Sequence, residues 1–209
     1  MAARTMSGSG VAGGSTKDAI REAAIRLFSA KGFEQTSLRE VADAVGITKA
    51  SLYYHYASKL DLLIAIVEPA FDDLGSVVEG LGELTYGPEG VREVLARQLR
   101  AMLRHRTASV MAVRDTVAII NAIGNRYPDM LANHRRLTRW LAGPDPSPEA
   151  LLRASSALEV VSTVLWSQEL APEADEDMIE RVLLDAALGV LAGGAGAPST
   201  NGSGRAHHR

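Results

Sequence analysis

Apolar residues recur along this chain at helical spacing. Over residues 16–30, Ile20, Ala23, Ala24, Leu27 and Phe28 form one stripe, which Gly32 ends. Thr16 is placed to cap this helix, and Asp18 suits its positive end. A shorter stripe of Leu38, Val41, Ala42 and Val45 runs at i, i+3, i+4, i+7 over 37–45 and stops at Gly46, a natural left-handed cap. Ile47 can plug the corner, and Thr48 can cap a second short helix over 49–54 by accepting from a free backbone N–H. Ser58 and Asp61 have the spacing of a capping box, opening a long helix over 59–80. Its first half is apolar nearly all round (Leu60, Leu62, Leu63, Ile64, Ile66, Val67), which predicts burial between two layers. Pro69 should kink it or remove one hydrogen bond.

Glycines and Pro88 mark a loop over 80–90. The next predicted helix, 91–106, has Val94, Leu95, Leu99, Met102 and Leu103 on one side and five arginines on the rest. Residues 108–125 are almost wholly apolar and predict a central helix. An amphipathic helix over 129–142 carries Arg135, Arg136 and Arg139. After a proline-rich turn, Ser147 and Pro148 supply a cap and a first helical position for a long helix over 149–170. Acidic residues after Pro172 open a last helix that ends near Gly193. Residues 1–15 and 194–209 are rich in Gly, Ser and Ala and are expected to be disordered. The pattern therefore predicts an all-α chain. Its expected parts are a domain over 16–58, a connecting helix over 59–80 and a second domain over 81–193.

The stretch over 36–59, TSLREVADAVGITKASLYYHYASK, reads as a helix-turn-helix. In that motif the second short helix enters the DNA major groove while the first braces it. Lys49, Ala50 and Ser51 fall in the first turn of the second helix, where side chains reach base edges. Ala50 allows close approach to a thymine methyl, and Lys49 can donate to guanine or to a phosphate. Ser51, Tyr53, His55 and Lys59 carry donors suited to phosphate oxygens. Thr36 and Ser37 offer a hydroxyl and free N–H groups at a helix start, another phosphate-binding arrangement. Arg39 is placed either to reach a base or phosphate or to pair with Asp43 at i+4. An ordinary helical hairpin, with packed tyrosines and solvated lysines, would share the bare pattern.

More specific are Gly32-Phe33, then Thr36-Ser37-x-Arg39-x-Val41-Ala42-x-x-x-Gly46-Ile47-Thr48. These are followed by Ser51-Leu52-Tyr53-Tyr54-His55-Tyr56 and Lys59-x-x-Leu62-Leu63. This run resembles the amino-terminal DNA-binding domain of the TetR family of bacterial transcriptional regulators, over about residues 16 to 68. Tyr56 stands where the family's Tyr-x-His-Phe ends in phenylalanine. The resemblance implies a homodimeric repressor, released from its operator by a small molecule. It also adds Thr48 and Tyr54 to the DNA-facing set and gives the amino-terminal arm a route to the adjacent groove.

Composition fits this reading. The 209 residues are 46% hydrophobic, enough for a sizeable core, and contain no cysteine, so disulfide and thiolate chemistry are excluded. The absence of a long apolar run or an apolar signal core leaves a cytoplasmic protein as the expectation. A net charge of −3 is compatible with DNA binding, which needs local positive charge.

In the second domain, Met102, Met111, Ile119, Ile120 and Trp140 are candidate walls of an effector pocket, and His105, Arg114 and Asn121 candidate polar contacts. The arginines over 92–139 could favour an anionic ligand or form solvated faces. Leu158, Ser162, Leu165, Trp166, Val182 and Ala186 are candidates for pairing the last two helices with their copies in a four-helix bundle. Two recognition helices about 34 Å apart would then read a palindromic operator. Other readings are an architectural DNA binder that senses nothing, and a helical carrier or enzyme. The last has little to work with, since the sequence shows no catalytic triad, no metal-ligand cluster and no phosphate loop. No cofactor or metal is expected.

Overall fold

The computed structural model describes residues 15–114 and 130–193. Among the described residues all regular structure is helical: α1 (Thr16–Lys31), α2 (Leu38–Val45), α3 (Lys49–His55), α4 (Lys59–Glu79), α5 (Pro88–Arg104) and α6 (Arg106–Arg114). These are followed by α7 (Met130–Leu141), α8 (Pro148–Ser162), α9 (Ser167–Leu170) and α10 (Glu176–Ala192), with 3-10 turns at Gly80–Glu83 and Thr163–Trp166. None of these helices is long and apolar enough to cross a membrane. The expected arm, 1–15 save its last residue, and the expected tail, 194–209, lie outside the described residues.

The described residues fall into two compact units. The first joins the chain up to Gly75 with the segment that starts at Arg104; the second takes Ser76–Leu103 and the chain from Ala132 on. This differs from the linear partition expected at residue 80. In the first unit, Ala108 and Met111 of α6 enter the same core as Ile20, Ala24 and Phe28 of α1, Val41 of α2, Leu52 of α3, and Leu62, Leu63 and Val67 of α4. Their stripe is apolar in sequence, but which neighbour it meets is a tertiary choice.

Local chemistry explains the helix ends. Ser15, rather than the expected Thr16, caps α1, accepting from the Asp18 N–H at 3.2 Å while Asp18 reaches back to the Ser15 N–H. The expected capping pair at α4 is present, with the Asp61 N–H 3.0 Å from the Ser58 hydroxyl oxygen. Pro69 is accommodated inside α4. The helix expected over 149–170 instead breaks after Ser162. There the hydroxyls of Ser162 and Thr163 turn back to the carbonyls of Leu158 and Glu159, a habit that bends helices.

In the second unit, α8 and α10 pack along each other through Ala154, Ala157, Leu158 and Val161 on one side and Ile179, Leu184 and Ala187 on the other. Arg153 ties them by donating to the Val190 carbonyl at 3.2 Å.

Candidate nucleic-acid interface

Three capping devices shape the helix-turn-helix. At the start of α2 the Ser37 hydroxyl accepts from the Glu40 N–H at 3.2 Å, and the Glu40 carboxylate accepts from the Ser37 N–H at 2.8 Å. Lys31 reaches across from α1 to the same carboxylate at 2.6 Å. The Lys31 ammonium, helped by the Ser37 donors, holds the Glu40 carboxyl down to about 2. At the end of α2 Gly46 takes φ 77° and ψ 29°, the left-handed cap, and the Ile47 N–H returns to the Ala42 carbonyl at 3.0 Å. Thr48 then caps α3, accepting from the Ser51 N–H at 3.1 Å.

The recognition helix itself is short. Of its seven described residues Leu52 alone is buried, with none of its surface exposed. Tyr56, just beyond, also enters the core. The opposite face presents Lys49, Ala50, Tyr53 and Tyr54 to solvent, with Tyr54 88% exposed. These positions, one and two turns along the same side, carry no carboxylate. The Lys49 ammonium lies 5.5 Å from the Tyr53 ring centre, and the Tyr54 and His55 rings meet edge to face at 5.4 Å. Lys49 is thereby held along the face that would meet a groove. Ser51 and His55 are half-buried at its margin. On α2 the Arg39 side chain is 81% exposed and only loosely paired, 3.9 Å from Asp43.

Four of the expected DNA-facing groups are engaged inside the protein. Thr36 is buried, its hydroxyl donating to the Gly32 carbonyl at 2.9 Å. The hydroxyls of Ser37 and Thr48 are caps. The Lys59 ammonium donates to the Phe33 and Glu34 carbonyls at 2.8 and 3.2 Å. The Lys31–Glu40 ion pair leaves no signal along the chain, whereas the Ser37-x-x-Glu40 spacing signals the cap beside it.

The family model for bacterial regulatory proteins of the TetR family matches residues 20–66, the segment just described. Over those residues the chain matches the TetR family. IcaR, the negative transcriptional regulator of the biofilm operon icaADBC from Staphylococcus aureus, is 45% identical to this chain over 62 residues. That match covers 30% of this chain and 33% of IcaR, so the chain spans about a third of the length of the curated relatives it matches. IcaR of Staphylococcus epidermidis is 46% identical over 56 residues, 27% of this chain and 30% of its own.

Solved structures extend the likeness of fold to most of the chain. A transcriptional regulator from Aquifex aeolicus VF5 has TM-score 0.64 at 22% identity, covering 82% of this chain and 97% of its own. The ketosteroid transcriptional regulator KstR2 of Mycobacterium tuberculosis has TM-score 0.65 at 18% identity, covering 86% and 94%.

Of the residues expected to form an effector site, the structure describes the side chains of His105 and Met111 in the first unit and of Met102 and Trp140 in the second. Met111 is buried in the core of the first unit, where α6 packs against α1. His105 also belongs to the first unit, where its Nε2 lies 3.0 Å from the Asp73 carboxylate. Arg104 donates to that carboxylate as well and holds it below its usual range, with His105 adding to the effect. Met102 is buried in the second unit, and Trp140 there meets the Tyr86 ring edge to face at 5.7 Å. Ile119, Ile120 and Asn121 lie outside the described residues, as does the side chain of Arg114.

The arginines of α5 are already matched. Arg92 faces Asp185 at 3.6 Å, Arg97 faces Glu93 at 2.7 Å and Arg100 faces Glu180 at 3.1 Å. Of the candidate pairing residues, Leu158 and Leu165 are buried within the unit and Ser162 is half-buried. Trp166, Val182 and Ala186 are exposed, beside the exposed Leu152, Leu170 and Met178.

Proposed function

We propose that this chain is a dimeric transcriptional repressor that binds a palindromic operator through α3 and leaves it when a small molecule occupies the second unit. The observation that carries this is the face of Lys49, Ala50, Tyr53 and Tyr54, free of carboxylates and projected from a single buried anchor in a TetR-family domain. Lys49 and Arg39 are the proposed readers of base edges or phosphates, and Ala50 the close-approach position. Tyr53, Tyr54, Ser51 and His55 supply donors to the sugar-phosphate backbone that set register.

The exposed apolar groups Leu152, Met178 and Val182 support pairing of α8 and α10 with a second copy, which would set two recognition helices one helical turn apart. The curated relative IcaR, a negative transcriptional regulator, supports the sign of regulation. Release would follow from population shift, the effector favouring dimers whose recognition helices no longer match successive grooves. Because Arg92, Arg97 and Arg100 already face carboxylates, a neutral, largely apolar effector is favoured over an anion. A repressor of this kind works in the cytoplasm, on double-stranded DNA.

The test is fluorescence anisotropy with the DNA flanking the gene, at several stated salt concentrations. Tight binding to a palindrome over random DNA is expected, with losses of about tenfold or more for Arg39→Ala, Lys49→Ala and Tyr54→Ala. Full affinity in all three variants would refute the reading surface. Weak binding with no sequence preference and a steep salt dependence would refute the operator-specific repressor.

A further inference from the structure

Lys59 looks like a phosphate contact in sequence, but its surroundings describe a different job. Its ammonium sits 4.3 Å from the centre of the Phe33 ring and donates to the carbonyls of Phe33 and Glu34 at 2.8 and 3.2 Å. An ammonium has three protons and no further donors. Two here meet carbonyl oxygens, and the charge rests over an aromatic face. The ring that receives it is fixed, since Phe33 is buried and packs edge to face on Phe28 at 5.3 Å.

Those carbonyls belong to the loop that delivers the chain from α1 into α2. Gly32 starts this loop at φ 87°, and the Thr36 hydroxyl closes it onto the Gly32 carbonyl at 2.9 Å. Gly32, Phe33 and Glu34 thus each present a carbonyl that a side chain occupies. The next residue after Thr36 is Ser37, the cap of α2. Lys59 is the first residue of α4, where the helix dipole disfavours a cation. A lysine held there by carbonyls 25 and 26 residues away compensates that penalty and ties the start of α4 to the entry of α2.

We propose that Lys59 is a positioning residue of the DNA-binding unit. It clamps the α1–α2 loop so that α2, and through the Gly46 turn α3, present their exposed side chains at a fixed angle, and it does not itself neutralise a phosphate. This rests on the operator-binding function proposed above. Reaching a phosphate would require the ammonium to give up its carbonyls and the Phe33 ring.

The experiment compares the wild-type chain with Lys59→Met, which keeps the stem without donors, and Lys59→Arg, which retains two or more donors and can lie on the ring. Operator affinity is measured across a salt series, well below the unfolding transition of each variant, with thermal unfolding recorded in parallel. The expected result is an affinity loss of about tenfold in Lys59→Met with the salt slope unchanged, and substantial recovery in Lys59→Arg. A slope shallower by about 0.9 per protomer, with thermal stability unchanged, would show a phosphate contact and overturn the proposal. A lower unfolding temperature with operator affinity intact would also overturn it, leaving Lys59 with stability alone. Failure of the wild-type chain to prefer its operator is a separate outcome. It defeats the regulator reading and the Lys59 role with it.

Discussion

Replacing Leu52 with alanine should separate what holds the recognition helix from what reads DNA. A seven-residue helix is too short to persist alone, because nucleation is costly and few hydrogen bonds reward it. Within α3 the described residue that reaches the core is Leu52, fully buried among the side chains of α1, α2 and α4. Truncation to alanine leaves a cavity in a close-packed setting and should cost about 3 kcal/mol. If that cost appears as easier local opening, amide exchange in α3 should quicken by roughly a hundredfold. The companion variant is Tyr54→Ala. Tyr54 is 88% exposed, so its removal should change stability by less than about 0.5 kcal/mol. Hydrogen exchange read at the α3 amides, with operator anisotropy on the same samples, checks both. Leu52→Ala should exchange faster and bind more weakly; Tyr54→Ala should bind more weakly with exchange unchanged. An exchange rate in Leu52→Ala within about threefold of wild type would refute the single-anchor account of α3.

Two glycines give contrasting predictions. A Cβ at Gly90 would sit 2.2 Å from the Thr85 carbonyl oxygen and 3.4 Å from Trp140, so Gly90→Ala should destabilise the second unit by about 1–3 kcal/mol and alter Trp140 fluorescence on denaturation. At Gly46 nothing lies within 4 Å but φ is +77°, so Gly46→Ala carries backbone strain alone, about 1 kcal/mol by chemical denaturation, and Gly46→Asn less. The Glu40 carboxyl, held at about 2 against its usual 4.5, adds stability that is fully present above about 4.5 and fades as pH falls toward 2. Glu40→Gln should therefore flatten the acid limb of an unfolding-versus-pH curve in that window, while an unchanged limb would remove the Lys31 clamp from the account.

Much of the first unit was legible because its signals are local. The stripe of Leu38, Val41 and Ala42, the left-handed Gly46 and the Thr48 cap involve residues within a turn or two of each other, and the structure realises each. Even the local errors were of one residue, as with Ser15 in place of Thr16. With Leu52 inward, helical period places Lys49, Ala50, Tyr53 and Tyr54 on the outward side.

What the sequence by itself determined, then, is the helical type of the chain, most helix ends of the first unit and the TetR-like motif, since these depend on propensity, capping and short-range periodicity. The tertiary structure decided which polar groups remain available. Thr36 and Lys59 look free along the chain, yet carbonyls brought near by folding occupy them. It also decided that α6 serves the core of the first unit, and that Arg92 and Arg100 of α5 meet Asp185 and Glu180 from α10. An apolar stripe states that a face will be buried, and a charge states that it needs a counter-charge or water. Neither names its partner, because that depends on residues distant in sequence.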